Sequence, residues 1–197
     1  MKTTKNTPRN DPRAGQTTIN NRSGSGSANE NEQENNGLRE MLLEEIADVY
    51  NAEQQLLTAL PKMAEAAQSE ALREAFESHL AETEAQAGRL EEALTLLEEE
   101  MKTKKCKAME GLLKEGTELL EEHQGKATID AALIAAAQKV EHYEIASYGT
   151  LCAWARHLGE EEVADLLDDT LAEEKAADEK LTVLAEEGAN TEAEEAD

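Results

Sequence analysis

The sequence has few aromatic residues and few prolines. It contains one Trp, three Tyr, one Phe and three Pro among 197 residues, while Ala, Leu and Glu are abundant. Sheets favour aromatic and β-branched side chains, whereas Ala, Leu and Glu favour helices. The composition therefore predicts an all-α protein, and the length is sufficient for one domain with a sizeable core.

Positive charge is scarce as well. The chain has 19 Lys and Arg against 44 Asp and Glu, which gives a net charge of −25. Such a surface repels phosphate backbones and anionic lipids, so we expect neither nucleic acid nor a membrane as a partner. No apolar run approaches the ~18 residues of a transmembrane helix, and no apolar signal segment follows Met1. The two cysteines, Cys106 and Cys152, lack the spacing of a metal or redox motif, which favours a reduced cytoplasmic setting.

Composition divides the chain into three parts. Residues 1–37 are rich in Asn, Thr, Ser, Gly and Arg and nearly lack apolar side chains, so they are predicted to form a disordered N-terminal tail. In residues 38–187, apolar residues recur at alternating spacings of three and four in four long segments, which is typical of the helices of a bundle. Residues 101–127 break this rhythm and are predicted to carry a short helix in a crossover between two helical hairpins. Residues 188–197 are predicted to be an acidic C-terminal tail.

Polar residues occupy or border the core positions of all four predicted bundle helices. An ionised carboxylate in an apolar core is very costly unless it is paired or bound to a metal. The residues on or beside these seams are candidate metal ligands: Glu53, His79, Glu82, Glu141, Glu144, Glu174 and Asp178.

The candidate ligands are also predicted to lie at one depth of the bundle. Glu53 and Glu82 are about equally far from the turn near position 68, and Glu144 and Glu174 are about equally far from the turn near position 159. Residues equally far from the turn of an antiparallel hairpin lie at the same height. A single glutamate on a seam can be an ordinary surface residue in so acidic a chain. Acids at matched depth on different helices favour a metal site instead.

Charge then indicates the kind of site. Several carboxylates in one pocket cannot all be ionised without counter-charge, and two divalent cations would supply it. Oxygen ligands with one imidazole suit iron or manganese better than zinc. The sequence therefore predicts a dinuclear iron or manganese site in a helical bundle.

Six short motifs resemble the YciE/YciF group of ferritin-like proteins, and together they extend from about Leu38 to Leu184. They are NAEQQL at 51–56, ALPKM at 59–63, HLAET at 79–83, KCKAMEGLL at 105–113, VEHYEIA at 140–146 and EEKAADEKL at 173–181. The resemblance implies a ferritin-like four-helix bundle with a crossover, a homodimer and a link to stress responses. It leaves the reaction open.

The motifs depart from the general ferritin pattern, which has Glu-x-x-His on two helices. Here the second helix has the reverse order, His79-x-x-Glu82, and the last helix offers Glu174 and Asp178 without a histidine. The extra acid in Glu141-x-x-Glu144 resembles rubrerythrins. Two hypotheses follow: a dinuclear metal protein with oxidase or peroxide-detoxifying chemistry, or a non-catalytic dimeric stress protein with a structural or vestigial metal site. Iron storage in a cage is a third, for which the sequence has no sign of cage contacts.

Overall fold

The computed structural model describes the backbone of residues 27–195 and the side chains from Gly37 onward. This part of the chain is helical apart from short connections and contains no strand, which confirms the predicted all-α class. Its elements are α1 (Ser27–Ala66), α2 (Glu70–Leu96), α3 (Lys107–His123), α4 (Ile129–Leu158), α5 (Glu161–Leu184), a π-helical turn (Ala185–Ala189) and α6 (Asn190–Glu195).

Helices α1, α2, α4 and α5 form a four-helix bundle. The most extensive contacts join α1 to α2 and α4 to α5, and further contacts join α2 to α5 and α1 to α4. At one end of the bundle, Arg39 binds the carbonyl of Leu97 and the carboxylate of Glu160. At the other end, the carboxylate of Asp130 accepts hydrogen bonds from the backbone N–H groups of Gln68 and Ser69. The end of α2 and the start of α4 therefore lie at opposite ends, and the segment containing α3 is the crossover that the sequence predicts.

Local signals mark the helix boundaries at the two turns that the sequence predicts, near positions 68 and 159. The Ser69 hydroxyl caps α2 by accepting a hydrogen bond from the N–H of Leu72 at 3.4 Å. Gly159 follows α4 with a φ of 82°, a left-handed conformation that suits glycine. The start of α2 and the end of α4 fix the positions of the two hairpin turns. The heights of the residues along each hairpin follow from their distance to its turn.

The bundle core consists of two apolar clusters. One contains Leu42, Ile46, Leu90, Leu151 and Leu167 among others. The second lies nearer the turn between α1 and α2 and contains Leu56, Leu72, Phe76, Ile134 and Leu181 among others. Buried polar side chains lie along the helices between the two clusters. We call this region the polar layer, and its residues are described below.

The described helices extend beyond the predicted body at both ends. Helix α1 begins at Ser27, before the predicted start of the body at residue 38. Ala, Glu and Gln in residues 27–37 can extend a helix that already exists, because extension avoids the cost of nucleation. The chain remains helical to Glu195, and Ala189 packs on the second apolar cluster, whereas the predicted acidic C-terminal tail begins at residue 188. Residues 1–26, 196 and 197 lie outside the described residues.

Between residues 27 and 195, no helix is both long and apolar enough to cross a membrane.

Candidate metal centre

Four side chains from three helices meet in the polar layer. His79 comes from α2, Glu141 and Glu144 come from α4, and Glu174 comes from α5. All four are buried, and each offers one nitrogen or oxygen atom within 4.8 Å of those of the others. We call these four residues the cluster. Their geometry is one that could hold a metal ion.

The imidazole of His79 is held between two sets of carboxylates. Its Nδ1 lies 3.3 Å from Glu82 Oε2, and its Nε2 lies 3.5 Å from Glu141 Oε1 and 3.8 Å from Glu174 Oε2. Burial lowers the pKa of His79, but the hydrogen bond to Glu82 and the nearby carboxylates outweigh it, so the net pKa is raised. When Nδ1–H donates to Glu82, the Nε2 lone pair faces the cluster and is available to a metal.

The polar layer contains a concentration of buried polar atoms without hydrogen bonds. Among residues 37–195, such side-chain atoms belong to Gln86 and to five candidate ligands: Glu53 Oε2, His79 Nε2, Glu141 Oε2, and both carboxylate oxygens of Glu144 and of Glu174. Leaving one buried polar group unpaired costs about 1–3 kcal/mol, and more for a charged group. Native proteins satisfy nearly all such groups, so a convergent set requires a physical explanation. A bound cation would satisfy all five side chains together.

Glu53 lies beside the cluster on α1 and is fully buried. Its Oε1 accepts a hydrogen bond from the hydroxyl of Tyr148, which is also fully buried. Burial is the main cause that raises the pKa of Glu53 to about 8, and the charge of Glu174 adds to it. Tyr148 thus fixes one oxygen of this carboxylate and leaves the other free to bind.

The other three acids are also shifted towards the protonated form. Burial raises the pKa of Glu141 to about 7, and nearby negative charges such as that of Asp178 add to the shift. Burial, followed by the charges of neighbouring carboxylates, raises the pKa of Glu144 well above its ordinary value. Burial raises the pKa of Glu174 similarly, against the opposing effect of His79. The raised pKa values mean that ionisation of these carboxylates is costly without a counter-charge, which a bound cation would supply.

Two predicted ligands lie outside the cluster. The Glu82 side chain is 43% exposed and contacts the outer ring nitrogen of His79, so it orients a candidate ligand. Asp178 lies 3.3 Å from the exposed side chain of His142 and 3.4 Å from Gln138. The seam of α2 continues from His79 to Thr83 and that of α5 from Glu174 to Ala177, so Glu82 and Asp178 lie beside the seam positions and not on them. The structure therefore brings together Glu53, His79, Glu141, Glu144 and Glu174, and leaves Glu82 and Asp178 at the margin.

Comparisons with known proteins identify the family. A family model described as a domain of unknown function (DUF892) matches residues 37–194. The chain belongs to the DUF892 family.

Relatives with known structures support the same assignment. Protein YciF of Escherichia coli K12 is 48% identical over 159 residues, which cover 80% of this chain and 95% of the relative. The crystal structure of the E. coli stress protein YciF matches with a TM-score of 0.75 and 47% identity, covering 78% of this chain and 97% of that one. YcfI from Rhodopseudomonas palustris matches with a TM-score of 0.72 and 45% identity, covering 74% and 92%. The resemblance to the YciE/YciF group is thereby confirmed.

This DUF892 member also has a charged pair next to the polar layer that sequence reasoning missed. Arg89 on α2 binds both carboxylate oxygens of Glu173 on α5, at 2.5 and 2.7 Å, and also donates to the hydroxyl of Thr170. Gln86 donates to the same carboxylate at 3.2 Å. In the sequence, Gln86 occupies a polar position on the seam of α2, and Arg89 lies one turn beyond it. This spacing is the signal that could have indicated the pair. Arg89 offsets part of the negative charge of Glu173, and the remaining charge is one of the smaller causes, after burial, that raise the pKa of the neighbouring Glu174.

Proposed function

We propose that this DUF892 protein binds two divalent metal ions, iron or manganese, in its polar layer. The observation that carries the proposal is the convergence of unpartnered buried atoms from five side chains. The proposed ligands are the Nε2 atom of His79 and the carboxylates of Glu53, Glu141, Glu144 and Glu174. This donor set fits iron or manganese, because it offers carboxylate oxygens, one imidazole and no thiolate.

Charge balance supports two ions rather than one. The four buried carboxylates would carry four negative charges when ionised, and two divalent cations would neutralise them. Carboxylates from α1, α4 and α5 surround the polar layer, so they could reach ions from several sides. A single divalent ion would leave about half of this charge uncompensated in a buried site.

The surrounding residues would orient the ligands and keep bulk water away. Tyr148 holds Glu53, and Glu82 holds the imidazole of His79 with Nε2 facing inward. The apolar clusters lie on either side along the bundle axis. When bound, iron or manganese would supply redox or Lewis-acid chemistry towards dioxygen or peroxide. We propose such chemistry in a stress response because the relative YciF is a stress protein.

Metal analysis and reconstitution test this proposal. The purified protein is treated with chelator and then titrated with Mn²⁺, or with Fe²⁺ without oxygen, and the bound metal is measured after desalting. We expect about two ions per chain in the native protein and in Glu84→Ala, which changes an exposed acid of α2. We expect substantial loss in Glu144→Ala. Absence of bound metal, or equal loading of all three proteins, would contradict the proposal.

A non-catalytic stress protein with a structural metal is the second candidate function. The presence of a single imidazole in the cluster favours it, because fewer nitrogen ligands distinguish this site from the general ferritin pattern. In that case metal raises the thermal midpoint, while consumption of dioxygen and peroxide stays at the level of Glu144→Ala. Consumption that depends on both metal and Glu144 favours the catalytic function. The predicted homodimer and cytoplasmic location remain predictions, and size-exclusion chromatography with light scattering tests the dimer.

A further inference from the structure

A cavity of about 160 Å³ lies beside the cluster, between α2 and α5. His79 and Glu141 form part of its wall, and so do the exposed residues Ser78, Ala176 and Lys180. The cavity thus connects the cluster with the protein surface. We call it the α2–α5 cavity.

The candidate ligands that line this cavity are slightly exposed, and those that do not line it are fully buried. The side chains of His79 and Glu141, which line it, are 7% and 3% exposed. Glu53, Glu144 and Glu174, which do not line it, have no exposure. His79 and Glu141 therefore form the side of the cluster nearest the cavity, and their unpartnered atoms Nε2 and Oε2 are themselves buried.

Three alanines form part of the walls of the cavity. Ala75 projects from α2, and Ala176 and Ala177 project from α5, where larger side chains would reduce the space. Along the bundle axis the polar layer is instead bounded by tightly packed apolar clusters. Moving a cation through such apolar material is very costly, whereas a path lined by carboxylates and imidazole compensates its charge.

We propose that the α2–α5 cavity is the port through which divalent metal ions reach the buried centre, with Glu82 as the first carboxylate they meet. The inference rests on the proposed function and extends it to the route of uptake. The cavity has room for several waters, and a hydrated divalent ion that passes from it into the buried cluster must exchange water ligands for protein ligands. Glu82 at the margin, followed by His79 and Glu141 in the wall, can replace the lost water ligands in that order.

Lys180 places a positive charge at the entrance of the port. It lines the cavity together with Glu82, so its ammonium group lies on the same side of the entrance as that carboxylate. Of the other lining acids, Glu141 belongs to the buried cluster and Glu173 is paired with Arg89. A positive charge beside the one available rim carboxylate opposes the arrival of a cation. Lys180 should therefore slow uptake without changing the final ligand set.

Stopped-flow uptake of Co²⁺ by the chelator-treated protein tests the port, because the visible absorbance of Co²⁺ reports its coordination. Ala176→Phe narrows the cavity, and its control is Ala172→Phe, an exposed position of α5 outside the cavity lining. Lys180→Glu reverses the rim charge, and its control is Lys175→Glu, the same change at another exposed position of α5. Stoichiometry at equilibrium and circular dichroism are measured for every variant.

We expect Ala176→Phe to bind the native amount of Co²⁺ at least about tenfold more slowly, because the path is obstructed. Lys180→Glu should bind about two- to fivefold faster at low ionic strength and lose this advantage in high salt. If each variant binds Co²⁺ at the same rate as its control, the proposed route is wrong. If the native protein binds no Co²⁺ at equilibrium, the proposed function itself fails. Equal rates with full stoichiometry refute only the route.

Discussion

Replacing Glu53 by Gln should stabilise the metal-free protein at alkaline pH. The glutamine side chain has nearly the same shape as glutamate and retains an oxygen that can accept the hydrogen bond from Tyr148. It cannot ionise, so it removes the cost of placing a negative charge among Glu144 and Glu174. The expected gain follows from the raised pKa of Glu53.

The size of the effect depends on pH. The pKa of Glu53 is about 8 in the folded protein, against an ordinary value of 4.5. Between these values the folded protein retains a proton that the unfolded chain has lost, so stability falls as pH rises through this window. Each pH unit across it is worth about 1.4 kcal/mol, which gives a loss on the order of 4 kcal/mol by about pH 8.5. Below about pH 4.5 the group is protonated in both states and contributes no such loss.

Urea unfolding of the metal-free protein measures this difference. We expect Glu53→Gln and the native protein to have similar free energies of unfolding near pH 5, and the variant to be more stable by several kcal/mol near pH 8.5. Glu91→Gln is the matched control, because Glu91 accepts a hydrogen bond from Tyr50 at 2.7 Å in an exposed pair. The control should show little change at either pH. With Mn²⁺ present the order should reverse, because Glu53→Gln removes a proposed ligand.

The reasoning is refuted if the native metal-free protein shows no loss of stability between these pH values. It is also refuted if Glu53→Gln is no more stable than Glu91→Gln near pH 8.5. Either result would mean that Glu53 is solvated or paired in solution, and that the polar layer carries no electrostatic cost for a metal to relieve.

Three further predictions concern residues outside the cluster. Glu82→Ala should weaken Mn²⁺ binding by about 10- to 100-fold in calorimetric titrations, because the ring of His79 loses the partner that orients it; native affinity would contradict this role. Asp178→Asn should leave Mn²⁺ affinity and stoichiometry unchanged in the same titrations, because Asp178 contacts His142 outside the cluster, and a clear loss would restore it as a ligand. Asp130→Ala should lower the free energy of unfolding by on the order of 2–4 kcal/mol, because two backbone N–H groups before α2 lose their acceptor. Urea unfolding measures this loss, and a stability within about 0.5 kcal/mol of native would refute it.

Much of the site could be predicted because its residues lie on regular seams. Spacings of three and four place Glu53, His79, Glu141, Glu144 and Glu174 on core faces, and all five are buried in the structure. Equal distances from the two turns predict their common depth, since the rise per residue of a helix is constant. These inferences need only helical periodicity and the position of two turns.

The margins of the site could not be predicted in this way. Glu82 and Asp178 each lie one turn after a seam residue, and periodicity alone does not tell whether such a side chain points inward or towards the rim. The pairing of Arg89 with Glu173 joins two helices that are far apart in sequence. Its detection requires the relative rotation of α2 and α5, which depends on how their side chains pack.

The sequence by itself determined the helical class, the hairpin turns, the crossover and the five buried polar residues of this protein. Composition and local spacing suffice for these features because they depend on short-range helix geometry and on the cost of exposing apolar surface. Only the tertiary structure decided which atoms of those residues lack partners, that Glu82 orients His79, and that a cavity between α2 and α5 reaches the cluster. These features depend on distances between side chains of different helices, which are set by interhelical packing.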